Sequence, residues 1–368
     1  MTTPFETYKL GRTPLKNRLA MAPMTRSRAT APDGTATEMM ATYYAQRAGA
    51  GFIISEGIQP SVVGQGYTNT PGLHSAEQVE SWKPVTAAVH EKGGVIYAQL
   101  MHTGRVGHPS LLPEGMYPVG PSPVTAAGQV YTQEGMQAFV EPHELSEDEI
   151  AQTISDFADA ARNAIEAGFD GVEIHGANGY LIHQFLAPNS NVRTDSWGAS
   201  IEGRIRFGVQ VASAVAAAIG AERVGFRISP GATFNDIQDD TDLEATYTAL
   251  VAKLAPLGLA YLHIMESADR GLTNTLRAAW PGTLVLNPNT APEPTGPGAL
   301  ALIEDGTTDL VSFGALFLAN PDLPARLAGG GPFNTPDRSS FYGGDTTGYL
   351  DYPTLDDLAL VDDMKETA

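Results

Sequence analysis

The sequence predicts an α/β protein in which eight parallel strands, each followed by a helix, close into a (β/α)₈ barrel that forms a single domain over residues 1–368. Three observations predict this fold. Eight short apolar runs recur along the chain, segments of helical periodicity separate them, and no G-x-G-x-x-G turn follows the first run. Strands buried on both faces and followed by helices form parallel sheets, and eight such units close a barrel. An open doubly wound sheet is the alternative, but it usually has fewer strands and that glycine-rich turn.

The eight predicted strands are short runs of β-branched and other apolar residues. In chain order they cover residues 18–22, 52–55, 95–99, 171–174, 224–228, 260–264, 283–286 and 310–313. The clearest helix is predicted over residues 147–167, because Ser146 and Glu149 form a capping-box pattern, the apolar residues share one face and Gly168 ends the run. The same helical period is found at residues 201–219 and 241–254.

Two segments account for the length beyond the about 250 residues of a typical barrel. The first is a Gly/Pro-rich insertion after the third strand, at residues 101–145, and the second is a C-terminal tail after Gly329. No linker, repeat or low-complexity segment divides the chain, so the prediction remains one domain.

Composition and charge exclude several classes of protein. The chain has 42 Asp and Glu against 22 Lys and Arg, and a net charge of −20 argues against binding to nucleic acids or to an anionic membrane surface. The chain has no cysteine, which excludes disulfides and thiolate chemistry. It also has no apolar run of the ~20 residues that a membrane helix needs. Because the first 18 residues are polar and contain no apolar block, we predict a cytoplasmic protein without a secretory signal.

Hydrogen-bonding side chains accumulate where the predicted strands end. In a parallel barrel these carboxyl ends form one rim, which carries the active site of the enzymes with this architecture. A purely structural barrel would not need this concentration of polar groups, since each must be satisfied or left wet. The sequence therefore favours an enzyme. The residues concerned are Thr25, Arg26, Ser55, Glu56, Gly57, Gln99, His102, His175, Asn178, Tyr180, Arg227, His263, Glu266, Asn287 and Asn289.

The densest of these segments is HGANGY, at residues 175–180. His175 and Asn178 leave the same strand end and can both donate to one oxygen, which polarises a carbonyl or nitro group. Tyr180 is protonated at neutral pH because of the high pKa of a phenol, and it can act as a general acid. The alternative is a capped loop in which these side chains only tie down the backbone. A metal site is not predicted, because His175 and His183 lack the spacing of a zinc or iron site.

Two further strand-end residues suggest what the rim binds. Arg227 ends a buried strand, where an unpaired charge is costly, so it must contact an anion or an electron-rich ring, or form a structural salt bridge with Glu173 or Glu266. Gln99 presents both donors and an acceptor, which suits an amide-like partner.

Motifs over nearly the whole chain resemble the old yellow enzyme family of flavin-dependent ene-reductases. They include NRLAMAPMTR at residues 17–26 and QLMHTGR at residues 99–105, and all of them follow the order found in the family. The other matching segments are residues 43–47, 55–57, 175–180, 183–186, 191–197, 319–323 and 341–344. The resemblance implies a TIM barrel that holds FMN at its carboxyl rim.

The resemblance also implies a role for single residues around the flavin. Thr25 would hydrogen-bond the flavin carbonyl near N5, Gln99 would bind the pyrimidine edge, and Arg227 would lie beside N1 and the C2 carbonyl. A fixed cation there stabilises the negative charge of reduced flavin. The remaining cofactor-binding residues implied are Pro23, Met24, Gly57, Asn289, Gly314 and Ala315.

On the substrate side, the resemblance implies that His175 and Asn178 hold the oxygen of an α,β-unsaturated carbonyl compound or nitroalkene. Hydride would pass from flavin N5 to the β-carbon, and Tyr180 would protonate the α-carbon from the opposite side. NAD(P)H would reduce the flavin in the same pocket, in a separate half-reaction. Met101 and the tail residue Tyr342 would line the substrate site, and the chain would act as a monomer or homodimer.

Two departures from the family pattern concern the cofactor phosphate. Relatives commonly hold it with a Gly-rich turn after the seventh strand and a Gly-Arg pair after the eighth, whereas this chain has Asn287-Pro288-Asn289-Thr290 and Gly314-Ala315. Pro288 has no N–H to donate, and Ala315 provides no cation. Met101 also replaces a common aromatic residue, which should soften one wall of the site.

Two alternatives to an FMN-dependent ene-reductase therefore stay open. The first keeps the redox chemistry but uses a deazaflavin cofactor. The second is a flavin-free barrel that binds or isomerises an enone-like ligand, since His175, Asn178 and Tyr180 could polarise and protonate a carbonyl compound without hydride transfer.

Overall fold

Eight parallel strands close into a barrel in a computed structural model of the chain, which describes residues 3–238, 242–267 and 269–366. All eight predicted strands are confirmed, with ends that differ by a few residues at most. Each strand pairs with its neighbours in chain order, and the eighth pairs with the first. The strands are β1 (Leu19–Met21), β2 (Phe52–Ile58), β3 (Ile96–Leu100), β4 (Gly171–Gly176), β5 (Val224–Ile228), β6 (Tyr261–Met265), β7 (Thr283–Asn287) and β8 (Leu310–Phe313).

A helix follows every barrel strand, as the sequence predicts. The helices are α1 (Glu38–Gln46), α2 (Ala76–Glu91), α3 (Glu147–Glu166), α4 (Leu181–Leu186), α5 (Ile201–Ile219), α6 (Leu243–Leu254), α7 (Arg270–Ala279), α8 (Ala301–Glu304), α9 (Ala315–Ala319), α10 (Leu323–Gly329) and α11 (Leu355–Glu366). The prediction for α5 is confirmed to the residue. For α6 the predicted first residue, Thr241, lies outside the described residues.

Helix α3 shows how local sequence sets these boundaries. The backbone N–H of Ser146 donates to Glu149 Oε2 over 2.8 Å, while the N–H of Glu149 donates back to Ser146 Oγ over 3.3 Å, so the predicted capping box is present. The face that includes Ile150 and Phe157 is buried. The helix is followed by Gly168 at a φ of +95°, which a residue with a Cβ rarely adopts.

The amino end of the barrel is closed. A hairpin of Tyr8–Leu10 and Thr13–Leu15 covers it and contributes Leu10 and Leu15 to the apolar cluster inside. In that cluster the ring of Phe52 packs edge-on against Tyr97 and Tyr261, with centroids 5.6 and 5.4 Å apart. Because side chains fill this end, a ligand can enter the barrel only from the carboxyl rim.

The segment between β3 and α3 is where the insertion is predicted. It contains a short parallel pair, Val119–Gly120 with His143–Glu144, and a hairpin, Gln129–Thr132 with Gly135–Ala138. No helix within the described residues has the length and hydropathy to cross a lipid bilayer.

The C-terminal tail returns across the rim and forms a strap, here defined as residues 338–349. Arg26 Nε donates to Phe341 O over 2.9 Å, and its Nη2 donates to Gly348 O over 3.0 Å. Arg28 Nε donates to Asp345 O, also over 3.0 Å. The two guanidinium groups lie over the ring of Tyr349. The loop after β1 therefore fixes the strap.

Candidate active site at the carboxyl rim

The carboxyl ends of the strands surround a cavity of about 330 Å³. It brings together most of the residues that the sequence assigns to the site, from five of the eight strand ends and the connections that follow them, and from the strap. These are Pro23, Met24, Thr25, Gln99, Met101, His175, Asn178, Tyr180, Arg227, Gly314, Ala315 and Tyr342. Gly57 and Asn289 do not line this cavity.

Gly57 lies behind Met101. A Cβ at position 57 would be 2.6 Å from Met101 Sδ, so the absence of a side chain there makes room for the methionine in the cavity wall. The pairing of β2 with β3 shifts register between Ile54 and Gly57, as a β-bulge does. The bulge thus sets the path of the chain beneath this wall.

Arg227 is a buried cation that faces the cavity without a partner. It is 5 % exposed, and within the described part of the chain no hydrogen bond or ion pair of its guanidinium is present. The structural salt bridges that the sequence left open are not formed, because Glu173 pairs with His263 and Glu266 pairs with Arg270. An unpaired buried guanidinium is expensive, so the geometry indicates that a ligand completes its contacts.

Gln99 is held in place by a chain of buried polar groups. Its Nε2 donates to Glu173 Oε1 over 2.8 Å, and His263 Nδ1 donates to Glu173 Oε2, also over 2.8 Å. His263 Nε2 lies 2.9 Å from Ser312 Oγ. Burial raises the pKa of Glu173, but His263 and Arg227 outweigh burial and hold it below its usual value. The ionised carboxylate therefore fixes the amide that faces the cavity.

The end of β4 and the loop after it bring His175 and Asn178 to the cavity. Asn178 has a φ of +57°, and its N–H donates to Ser229 Oγ over 2.8 Å. Its carbonyl accepts from Asn235 Nδ2 over 2.7 Å. His175 is 4 % exposed, and its Nδ1 and the Oδ1 of Asn178 find no hydrogen-bond partner among the described residues. Burial, followed by the charge of Arg227, lowers the pKa of His175, so its imidazole is neutral.

Tyr180 faces His175 and is bonded to a second tyrosine that the sequence reasoning missed. Its ring centroid lies 5.1 Å from that of His175, and its hydroxyl is 3.0 Å from the hydroxyl of Tyr67. Burial raises the pKa of both phenols, so both remain protonated at neutral pH. Tyr67 follows the second strand in a Gln-Gly-Tyr segment, and that position near the rim is the only signal that could have found it.

Asn289 lines a second, outer cavity of about 740 Å³ that adjoins the first and shares Asn287, Gly314 and Ala315 with it. The N–H of Asn289 is not free there, because it donates to Glu266 Oε2 over 3.0 Å.

Buried histidines around the site make the stability of the fold depend on pH. Burial lowers the pKa of His102 to about 3 and that of His183 to about 4. Below a pH of about 6.5 these histidines bind protons in the unfolded chain but stay neutral in the folded chain. The free energy of unfolding therefore falls by about 1.4 kcal/mol per pH unit for each histidine as the pH is lowered.

One carboxyl opposes this trend. Burial raises the pKa of Glu56 to about 7, which favours the folded state as the pH falls. We therefore expect urea unfolding to show a lower stability at pH 5 than at pH 6.5, and a steeper loss in Glu56→Gln. A wild-type stability that rises over this interval would contradict the neutral histidines.

The site has the character of a redox-cofactor site. A buried cation and an oriented amide on one wall suit the edge of a planar heterocycle that gains negative charge on reduction, and two donors beside a phenol suit the activation of a carbonyl compound. Together the barrel and this rim define an oxidoreductase with a flavin-type cofactor. The end of the inner cavity that holds Gln99 and Arg227 is here called the ring end. The unpaired Arg227 shows that the ring end fits such a group.

The chain belongs to the NADH:flavin oxidoreductase / NADH oxidase family, whose sequence profile matches residues 4–334. It is similar to 12-oxophytodienoate reductase 1 of Oryza sativa subsp. japonica, with 41 % identity over 95 % of this chain and 93 % of the relative. It is 42 % identical to a probable flavin mononucleotide-dependent alkene reductase of Leishmania infantum, over 94 % of this chain and 96 % of the relative.

Solved structures agree. Morphinone reductase superposes with a TM-score of 0.91 at 42 % identity, over 96 % of this chain and 97 % of that one. The old yellow enzyme homologue of Zymomonas mobilis gives 0.91 at 39 % identity, over 96 % and 100 % of the two chains. The expected fold, the old yellow enzyme family, FMN as cofactor and an oxidoreductase of the ene-reductase type are thereby confirmed.

Proposed function

We propose that the chain reduces the activated C=C bond of α,β-unsaturated carbonyl compounds or nitroalkenes, with NAD(P)H as the source of hydride. The observation that carries the proposal is that one cavity holds both the unpaired Arg227 and the donors His175, Asn178 and Tyr180. Relatives named as reductases of 12-oxophytodienoate and morphinone support this choice of substrate class.

The residues at the ring end would hold the flavin. Thr25 and the backbone of Pro23 and Met24 would contact the N5 side, Gln99 would bind the pyrimidine edge, and Arg227 would stabilise the charge of the reduced ring. Gly57 would act through Met101, which it allows into the wall. When bound, the flavin would supply the hydride relay between NAD(P)H and the β-carbon of the alkene.

The substrate oxygen would accept hydrogen bonds from the neutral His175 and from Asn178. Donors fixed before the reaction stabilise the enolate-like charge that develops on that oxygen, and one such donor is worth about 3–4 kcal/mol in other enzymes. Tyr180 would then give its phenolic proton to the α-carbon. Met101 and the exposed Tyr342, which is 69 % accessible, would form the movable walls of the substrate site.

The deazaflavin alternative is not retained, because the family and the alkene-reductase relative support FMN, but Pro288, Ala315 and the engaged N–H of Asn289 weaken the usual site for its phosphate. A flavin-free isomerase is less well supported, because it would leave Arg227 without a partner.

Isotope labelling tests the proposed reaction directly. With FMN, NAD(P)H deuterated at the transferred position of C4 and a cyclic enone, we expect the saturated ketone to carry deuterium at the β-carbon. In D₂O with unlabelled NAD(P)H, deuterium should enter at the α-carbon. An isomerised enone formed without oxidation of NAD(P)H would contradict the proposal.

The proposal also covers domain organisation, location in the cell and oligomeric state. Residues 1–368 would act as one domain, which the bonds of Arg26 and Arg28 to the strap support. The chain would work in the cytoplasm, in keeping with its lack of cysteine. It would be a monomer or a homodimer, and sedimentation equilibrium distinguishes the two.

A further inference from the structure

The outer cavity continues from the ring end of the inner cavity towards the strap. It shares Met265, Asn287, Gly314, Ala315 and Phe341 with the inner cavity, and at about 740 Å³ it has more than twice the volume. A ring cofactor that lies in the inner cavity would therefore extend its side chain into the outer one.

The barrel itself offers little to an anion at this end. Pro288 has no N–H, and the N–H of Asn289 is already bonded to Glu266. Glu266 is a carboxylate that also accepts from Arg270 Nη2 over 2.8 Å and from Thr273 Oγ1 over 2.8 Å. Arg270 thus balances the charge of Glu266 and leaves no surplus cation for a ligand.

Arg338 is the only Lys or Arg among the residues that line the outer cavity in the described chain. It is exposed, and no hydrogen bond or ion pair of its side chain occurs within the described residues. The neighbouring Asp337 forms no ion pair with Arg338 within the described residues, and its Oδ1 accepts instead from the N–H and the hydroxyl of Ser339.

Arg338 is the first residue of the strap, and the loop after β1 fixes its position. Ser340, two residues on, presents its carbonyl to Nη2 of both Arg26 and Arg28, at 3.3 Å each. The loop after β1, which carries Thr25 to the inner cavity, therefore also holds the segment that carries Arg338 to the outer cavity.

We propose that Arg338 supplies the cation for the terminal phosphate of the cofactor, a role that the chain has moved from the end of the eighth strand to the C-terminal strap. The inference rests on the proposed flavin site. A guanidinium can bind two phosphate oxygens at once. Because the pair is exposed and Glu266 and Glu293 also line the cavity, its effect is modest.

The test compares two probes that differ only in the phosphate. Full-length protein freed of bound flavin is titrated with FMN and with riboflavin, and binding is followed by the quenching of flavin fluorescence. We expect Arg338→Gln to weaken FMN binding about 2- to 5-fold and to leave riboflavin binding unchanged, as for an exposed ion pair. The loss should shrink at high salt, which screens such a pair.

Two further variants make the test decisive. Arg12→Gln removes an equal charge from an exposed site in the hairpin at the opposite end of the barrel, and it should change neither affinity. Ala315→Arg in the Arg338→Gln background should restore the preference for FMN, because it returns a cation to the end of the eighth strand.

The outcomes separate the two claims. If Arg338→Gln binds FMN and riboflavin in the wild-type ratio, Arg338 does not contact the phosphate and the inference is wrong, while the flavin site stands. If the wild-type protein binds neither flavin, the proposed function itself fails.

Discussion

Replacing Tyr180 by Phe is expected to slow the reduction of an enone by about 10²- to 10⁴-fold, the usual contribution of a positioned general acid. The change removes only the hydroxyl, whose pKa is raised by burial and which is therefore protonated at neutral pH. Reduction of the enzyme by NAD(P)H requires no proton from this group and should keep its rate. Stopped-flow absorbance at the flavin band measures the two half-reactions separately.

Tyr67→Phe is the matched control for this experiment. It removes the hydroxyl that lies 3.0 Å from that of Tyr180 and leaves the proposed donor in place. We expect a much smaller loss than in Tyr180→Phe, confined to the same half-reaction. Equal losses of both half-reactions in Tyr180→Phe would contradict the role of proton donor.

The double replacement His175→Ala with Asn178→Ala is expected to weaken the binding of phenols and enones by at least about 100-fold, since two hydrogen bonds to a partly charged oxygen are lost. A phenolate or carbonyl oxygen would occupy the point at which the two side chains converge. Titration of the FMN-loaded protein with a simple phenol, followed by the change in flavin absorbance, gives the affinity.

His143→Ala serves as the control, because His143 is an exposed histidine that contacts Glu149 and does not line the inner cavity. It should bind phenol like the wild type. Unchanged phenol affinity in the double variant, with FMN still bound, would reject the assignment of these two residues as the oxygen anchor.

The strands of the barrel were predictable because the signal that specifies them is local. A strand buried on both faces appears as a short apolar run, as in Val224–Ile228, and this run can be recognised without knowing which strands lie beside it. The start of α3 was equally predictable, since both halves of its capping box lie within four residues. The insertion and the tail lack such periodicity, and their paths depend on contacts far along the chain.

The polar rim was predicted as a whole, but the sequence could not sort its members. Arg26, Glu56 and Glu266 also lie at or just beyond the carboxyl ends of strands, yet they bond the strap, Tyr44 and Arg270, respectively, and do not line the inner cavity. The partner that a strand-end side chain binds depends on tertiary contacts, which the local sequence does not encode. Arg227 was distinguished only by the structure, which shows that neither candidate carboxylate pairs with it.

The same reasoning explains why Tyr67 and Arg338 were missed. Tyr67 meets Tyr180 across 113 residues, and Arg338 reaches the outer cavity because Arg26 and Arg28 fix the strap. Neither contact leaves a pattern in the sequence. The unusual Pro288 and Ala315, by contrast, were visible from the sequence and pointed to the end of the site where the structure shows a different set of groups.

Titration of the flavin-free wild-type protein with FMN, compared with Arg227→Leu, tests whether the buried cation at the rim holds the cofactor. We expect quenching of flavin fluorescence that saturates at one flavin per chain in the wild type, and a large loss of affinity when the buried cation is removed. Flavin that remains fully fluorescent with folded wild-type protein, or an affinity that does not change in Arg227→Leu, would contradict this expectation.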